Sequence, residues 1–208
     1  LSLQRLKETM AEIVLGKDEA LELLLVALIA GGHILIEDVP GVGKTLIAKT
    51  LAASLNADFN RLQCTPDLTP TDVTGFYVLD RRHNNFVFKA GPVVTNILLV
   101  DEINRAVPRT QSSLLEAMEE RQVTLDGETV KLPQPFFVIA TQNPIEHDGT
   151  FPLPEAQLDR FLLKISMGYP SASEEESILQ KHGRENPLSS INAVASTQDV
   201  LNWQELAC

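Results

Sequence analysis

Leu3, Leu6, Met10, Ile13 and Val14 share one face of a 3.6-residue repeat, so the chain opens with an amphipathic helix that Gly16 punctuates. Asp18 to Ala30 reads as a second, more apolar helix, with Asp18 as a candidate N-cap and Gly31-Gly32 as its stop. The pattern then changes to short apolar runs, His33–Glu37, Asn96–Val100, Phe136–Ala140 and Phe161–Ile165, with Phe59–Gln63 a plausible further strand. Runs of this length without polar alternation are strands buried on both faces. Helical patterns over Thr45–Leu55 and Arg109–Glu120 fall between them. Strands alternating with helices predict an α/β fold, a five-stranded parallel sheet covered by helices on both sides.

Two hairpins interrupt this rhythm. Phe76–Leu79 and Phe86–Lys89 flank the polar turn Asp80-Arg81-Arg82-His83-Asn84-Asn85, and Gln122–Leu125 and Thr129–Leu132 flank Asp126-Gly127. Beyond Ile165 the pattern shifts again. Gly168 to Ser171 reads as a linker, Ser173–Lys181 as a helix, Gly183–Ser190 as a loop, and Ser196 or Thr197 opens a final helix. There is no internal repeat and no low-complexity segment.

Composition narrows the function classes. With 208 residues, 44% hydrophobic and 22% charged, the sequence describes one globular domain with room for a small appendage. Its 17 Lys and Arg against 28 Asp and Glu leave a net charge of −11, the wrong sign for gripping nucleic acid through the whole surface. Two cysteines without paired spacing, Cys64 and Cys208, define neither a disulfide framework nor a zinc site and fit a reducing compartment. The longest apolar run, Leu23–Ile36, is broken by Gly31-Gly32-His33 and is too short to span a bilayer. A start without a signal-peptide pattern adds to the expectation of a cytoplasmic protein.

Chemistry first appears where the run ending at Glu37 meets Asp38, Val39, Pro40, Gly41, Val42, Gly43, Lys44, Thr45 and Leu46. A strand, a glycine turn and a helix N-terminus together hold phosphate through backbone N–H groups and the helix dipole. Lys44 supplies a point charge to the β- and γ-phosphates, and the Thr45 hydroxyl ligates Mg²⁺. The motif G-x-x-x-x-G-K-[ST] fails at its first position, where Asp38 would set a carboxylate near the phosphates unless it points away.

A second run, Ile97-Leu98-Leu99-Val100, ends in Asp101-Glu102, placing two acids where parallel sheets bind ligands. Asp101 is the candidate Mg²⁺ ligand and Glu102 the candidate base for an attacking water. Thr141-Gln142-Asn143-Pro144 follows the Phe136–Ala140 strand. Asn-Pro alone is a turn signal. At a strand end, the Asn143 amide could orient water or contact a γ-phosphate, by analogy with water-positioning amides in nucleotide hydrolases.

The order of these segments resembles the MoxR family of AAA+ ATPases, within the clade carrying an insert in helix 2. GGHILIEDVPGVGKT (31–45), TPDLTPTDVTG (65–75), LLVDEINRA (98–106), LLEAMEERQVTLDG (114–127), ATQNPIE (140–146) and PLPEAQLDRFLLKI (152–165) carry the resemblance. It extends over about residues 2 to 182. Sequences of that family often have Asp at the first phosphate-loop position.

The resemblance implies ATP and Mg²⁺ as ligands, Asp101 and Glu102 as the Walker B pair, and Asn143 as sensor 1. It also implies that Arg160 is an arginine finger acting on a neighbouring subunit's γ-phosphate. Read without the family, Arg160 is a surface ion-pair partner of Asp159 or Glu155. The Phe76–Lys89 hairpin resembles the helix-2 insert and Gln122–Leu132 the pre-sensor hairpin. Each commonly lines a ring pore, although Arg81, Arg82 and His83 also suit an ordinary solvated turn. Arg105 and Arg109 are candidates for subunit contacts or simple surface charge, and His33, His147 and His182 receive no role.

Residues 1–168 are thus expected to form the nucleotide-binding core, and 169–208 the start of an incomplete helical lid without its second sensor arginine. The expected activity is Mg²⁺-dependent ATP hydrolysis by a homo-oligomer, a hexameric ring. The ring would remodel a client protein, with a von Willebrand A domain protein as a further partner. A nucleotide-gated scaffold that barely hydrolyses ATP and a magnesium-chelatase-type motor subunit are the alternatives. The acidic charge speaks against a DNA motor. The lack of an Asn-Lys-x-Asp motif speaks against a GTPase.

Overall fold

The computed structural model describes residues 2–38, 41–125, 127–145, 149–168, 188 and 191–207. Its centre is a five-stranded parallel sheet of β1 (Ile34–Glu37), β2 (Phe59–Gln63), β5 (Ile97–Asp101), β8 (Phe137–Gln142) and β9 (Leu163–Ile165). The strands lie in the order β2-β5-β8-β1-β9. Helices cover both faces of the sheet, as the alternation of strands and helices predicts.

Alternation along each strand divides the interior in two. Ile34 and Ile36 of β1, Ile97 and Leu99 of β5, and Phe137 and Ile139 of β8 face one core. The helices α1 (Ser2–Ile13), α2 (Asp18–Ile29) and α3 (Lys44–Ser54) cover it. Leu35, Leu98, Val100, Val138 and Ala140 face the other, with α5 (Pro108–Glu120) across them. Because both faces are buried, the central strands carry no polar alternation.

Element ends differ from the sequence reading in ways that have local causes. Lys17, not Asp18, is the cap residue of α2; Asp18 and Glu19 occupy the first turn, where their charge meets the positive end of the helix dipole. A short helix, α4 (Pro70–Thr74), was not predicted. A reciprocal box specifies it: the Thr69 hydroxyl accepts from the Asp72 N–H at 3.3 Å, and the Asp72 carboxylate accepts from the Thr69 N–H at 2.9 Å.

Both hairpins are present. β3 (Gly75–Asp80) pairs with β4 (Asn85–Ala90), and β6 (Gln122–Leu125) with β7 (Glu128–Lys131). The Tyr77 hydroxyl donates to Glu128 at 2.6 Å and ties one hairpin to the other. A one-turn helix, α6 (Glu155–Leu158), precedes β9.

The predicted helix Ser173–Lys181 lies outside the described residues, as do His147 and His182. The last helix, α7 (Thr197–Ala207), is opened by Ser196, whose hydroxyl accepts from the Asp199 N–H at 3.2 Å. It packs on α2 through the fully buried Val200, and Gln204 donates to the Leu28 carbonyl at 2.7 Å.

His33, given no role from sequence, fastens the entry to β1. Its Nδ1 accepts from the Val138 N–H at 3.1 Å, so the neutral ring carries its proton on Nε2 and donates to the Met118 carbonyl at 3.2 Å. Burial lowers its pKa from 6.5 to about 4, the Met118 hydrogen bond opposing the shift and the Arg121 charge adding to it. Since the folded-state pKa lies below the unfolded one, the unfolded chain takes up the proton first as pH falls. Stability is therefore expected to decline from pH 6.5 towards 4 by about 3 kcal/mol from this group. Denaturant titrations of wild type and His33→Asn across that window check it. The variant is expected to lack this part of the slope, whatever its stability at pH 7.5.

Candidate active site

The chain crosses from β1 to α3 through the glycine loop. Gly41 and Gly43 have φ of 91° and 94°, and a Cβ on either would meet open space, so backbone conformation and not crowding demands glycine. Val42 is buried and anchors the loop from below. Lys44 then begins α3, its Nζ donating to the Asp38 carbonyl at 2.8 Å. Burial pulls the Lys44 pKa below its ordinary value, against the opposing charges of Asp38, Asp101 and Glu102. Val39 and Pro40 lie outside the described residues.

Beside this loop, β5 ends in Asp101 and β8 in Gln142. Asp101 is buried. Its carboxylate meets Arg61 Nε at 2.6 Å and the Thr141 hydroxyl at 3.3 Å. Glu102 adopts a left-handed conformation, φ 56° and ψ 51°, uncommon for a residue with a side chain. The turn is held by its N–H donating to the Thr141 hydroxyl at 3.0 Å. The Glu102 carboxylate accepts from Gln63 Nε2 at 2.9 Å and lies 3.3 Å from Arg105 Nε. Asn143 Oδ1 accepts from the Ile145 N–H at 3.1 Å.

These groups surround one cavity of about 430 Å³, lined by Asp38, Gly41, Gly43, Lys44, Thr45 and Leu46 on the loop side and by Asp101, Glu102 and Asn143 opposite. The donors suit a magnesium-bound phosphate. One buried carboxylate and one hydroxyl supply hard oxygen ligands, leaving other positions to phosphate and water. Among the described residues, no cluster of three His, Cys, Asp or Glu side chains forms a protein-only metal site.

The alternative left open for Asp38, a carboxylate pointing away, is the one observed, and the surface partner read for Arg160 is corrected. The Asp38 carboxylate is held by the segment after β9: Oδ2 accepts from the Met167 and Gly168 N–H groups at 2.6 and 2.8 Å. Arg160 pairs with neither Asp159 nor Glu155. It meets Glu119 on α5 at 2.7 Å and donates to the Ala156 carbonyl at 2.8 Å, beside a separate cavity formed by α5 and α6.

Arg61, Gln63 and Thr141 were not singled out from sequence. Arg61 and Gln63 stand two apart on β2, hence on one face, and the pairing of Gln63 with Asp101 brings them to the acids. Polar residues at alternate positions beside the buried Leu62 of this edge strand were the signal, legible only once the neighbour of β2 is known. Arg105 contacts Glu102 directly, while Arg109 is exposed.

A parallel sheet that gathers a Gly-Lys-Thr loop, an Asp-Glu pair and an Asn amide at its C-terminal edge defines a P-loop ATPase fold. Residues 33–163 match the sequence profile of the ATPase family associated with various cellular activities (AAA). The chain is 48% identical over 206 residues to Chaperone MoxR1 of Mycobacterium tuberculosis, covering 99% of this chain and 54% of that protein. It is 35% identical over 171 residues to Protein MoxR of Methylorubrum extorquens, covering 80% and 49%. The chain belongs to the MoxR family of AAA+ ATPases.

The uncharacterised protein YeaC of Bacillus subtilis is 51% identical over 197 residues, 95% of this chain and 62% of that protein. A crystal structure of a proposed ATPase from Cytophaga hutchinsonii superposes with a TM-score of 0.89 at 41% identity, covering 98% of this chain and 62% of that one. The chain thus spans about half to three fifths of these relatives' lengths.

Cys64 adjoins the site, its N–H donating to the Asp101 carbonyl at 2.9 Å. Burial, with Asp101 and Glu102 nearby, pushes its thiol pKa up to about 12. The thiolate is the reactive form. Cys64 is therefore expected to resist iodoacetamide at pH 8 in the native protein and to react after unfolding, as read by peptide mass spectrometry at that residue.

Proposed function

We propose that the site hydrolyses ATP to ADP and phosphate, and that the protein couples hydrolysis to remodelling of a client. What carries this reading is the convergence of Lys44, Thr45, Asp101, Glu102 and Asn143 on one cavity from three neighbouring strands. The loop N–H groups and the α3 N-terminus bind the phosphates, and Lys44 leaves the Asp38 carbonyl to neutralise charge on them. Thr45 and Asp101 would hold Mg²⁺, which would offset phosphate charge, and Arg61 would then have to yield the Asp101 carboxylate.

Glu102 takes a proton from the attacking water. For that, its carboxylate has to loosen from Gln63 and Arg105. Asn143 orients the water or the γ-phosphate through its amide. Arg160 lines none of its own chain's nucleotide cavity, which supports a role on a neighbouring subunit. A ring, taken as a hexamer, supplies that neighbour. Client protein, von Willebrand A partner and cytoplasmic location complete the proposal. Among the described residues, no helix is long and apolar enough to cross a membrane.

The scaffold alternative drew its support from a carboxylate at position 38 repelling phosphate. With Asp38 turned to Met167 and Gly168, hydrolysis is the better supported reading.

Purified protein is expected to release phosphate from ATP in a Mg²⁺-dependent manner. Lys44→Ala is expected to lose nucleotide binding and turnover together. Glu102→Gln is expected to lose turnover by about 100-fold or more while retaining ATP, because it removes the base and not the phosphate contacts. Phosphate release and fluorescent-nucleotide binding on the same samples check this; full turnover in both variants would refute the assignment.

A further inference from the structure

We propose that Asp38 is a positioning residue that couples the phosphate loop to the segment following β9, so that nucleotide affinity depends on a grip made outside the nucleotide cavity. This rests on the nucleotide-binding reading above and deepens it.

The observations concern one peptide group and the two charges on either side of it. The N–H of Gly168 donates to Asp38 Oδ2 at 2.8 Å, and the carbonyl of Met167, in the same peptide, accepts from Lys17 Nζ at 2.8 Å. The Met167 N–H adds a 2.6 Å bond to the same carboxylate oxygen, the Ser166 hydroxyl a 3.3 Å bond, and the Gly168 carbonyl accepts from Lys17 at 2.8 Å. Asp38 is 7% exposed and Lys17 is 8% exposed. An ammonium and a carboxylate, both out of water, are therefore joined through a polarised peptide. Hydrogen bonds to ionised groups in such surroundings are among the stronger kind.

The far end of Asp38 belongs to the loop. Its carbonyl holds Lys44 Nζ at 2.8 Å, and its N–H donates to the Gln142 carbonyl of β8 at 3.1 Å. One residue thus joins four things: β8, the phosphate-binding lysine, the segment after β9 and, through that segment, the α1–α2 junction carrying Lys17. The usual glycine at this position could make none of the side-chain bonds. The carboxylate replaces a missing motif residue with an anchor that fixes where the loop begins.

Coupling of this kind is reciprocal. If loosening the grip weakens nucleotide binding by some factor, nucleotide must strengthen the grip by the same factor. The opposing view, in which Asp38 acts by charge repulsion on phosphate, makes the contrary forecast: removing the charge should tighten binding.

The test uses a fluorescent, slowly hydrolysed ATP analogue with Mg²⁺ on the purified protein, with variants Asp38→Gly, Asp38→Asn and Lys17→Met. Asp38→Gly, which restores the motif glycine, is expected to weaken binding about tenfold or more. Asp38→Asn, which keeps an acceptor oxygen, is expected to recover part of that loss. Lys17→Met is expected to weaken binding as well, and the Lys17→Met, Asp38→Asn double variant to lose less than the two losses combined, as members of one network do.

Should a variant fail to fold, wild type alone decides the matter: the analogue is expected to slow amide hydrogen exchange at Met167 and Gly168. Equal or tighter binding by Asp38→Gly or Asp38→Asn would overturn the inference, as would unchanged exchange at those two amides. Failure of wild type to bind the analogue at all would instead overturn the site reading on which the inference stands.

Discussion

Everything at the site depends on three strands lying side by side. β5, β8 and β1 are neighbours in parallel register, Leu99 opposite Ile139 and Ile139 opposite Ile34. Their C-terminal ends therefore open on the same edge, one delivering the acids, one the amide and one the loop. Such an arrangement needs strands with no solvent-facing side, and the residues comply: Leu35, Leu98 and Val138 pack into one core while Ile34, Leu99 and Ile139 pack into the other. The chemistry is polar, but its geometry is set by apolar burial on both faces of the sheet.

Charge at the site is compensated locally. The chain carries −11 overall, and three of its carboxylates, Asp38, Asp101 and Glu102, stand around one cavity. Each has a counterpart: backbone N–H groups backed by Lys17 for Asp38, Arg61 for Asp101, Gln63 and Arg105 for Glu102. A buried carboxylate without such partners would be costly. Under the proposed function, Asp101 and Glu102 begin engaged to protein groups that ligand would have to displace, whereas the Asp38 carboxylate is held by the amides after β9.

Much of this was legible in the residues. The five predicted strands are the five strands of the sheet, and Gly43-Lys44-Thr45 sits where a strand–loop–helix reading puts it. Asp101-Glu102 and Asn143 reach the same cavity from separate strands. The rest depended on register and on through-space pairing, which local pattern does not encode. Arg61 matters because β2 happens to lie next to β5. Lys17 and Asp38 meet at Met167 and Gly168, some 130 to 150 residues away along the chain. Asp38 read as a defect in a motif because its carboxylate direction is a tertiary fact. The Glu119 partner of Arg160 is likewise 41 residues away, on a helix whose apolar stripe alone was visible.

The most direct measurement is a structure of the protein with Mg²⁺ and a non-hydrolysable ATP analogue. Lys44 Nζ is expected to have left the Asp38 carbonyl for the β- and γ-phosphates, with the metal on Thr45 and Asp101 and Arg61 drawn off Asp101. Asp38 is expected still to hold the Met167 and Gly168 amides. A nucleotide seated away from the glycine loop, or a metal bound elsewhere while Arg61 keeps Asp101, would contradict the site as described.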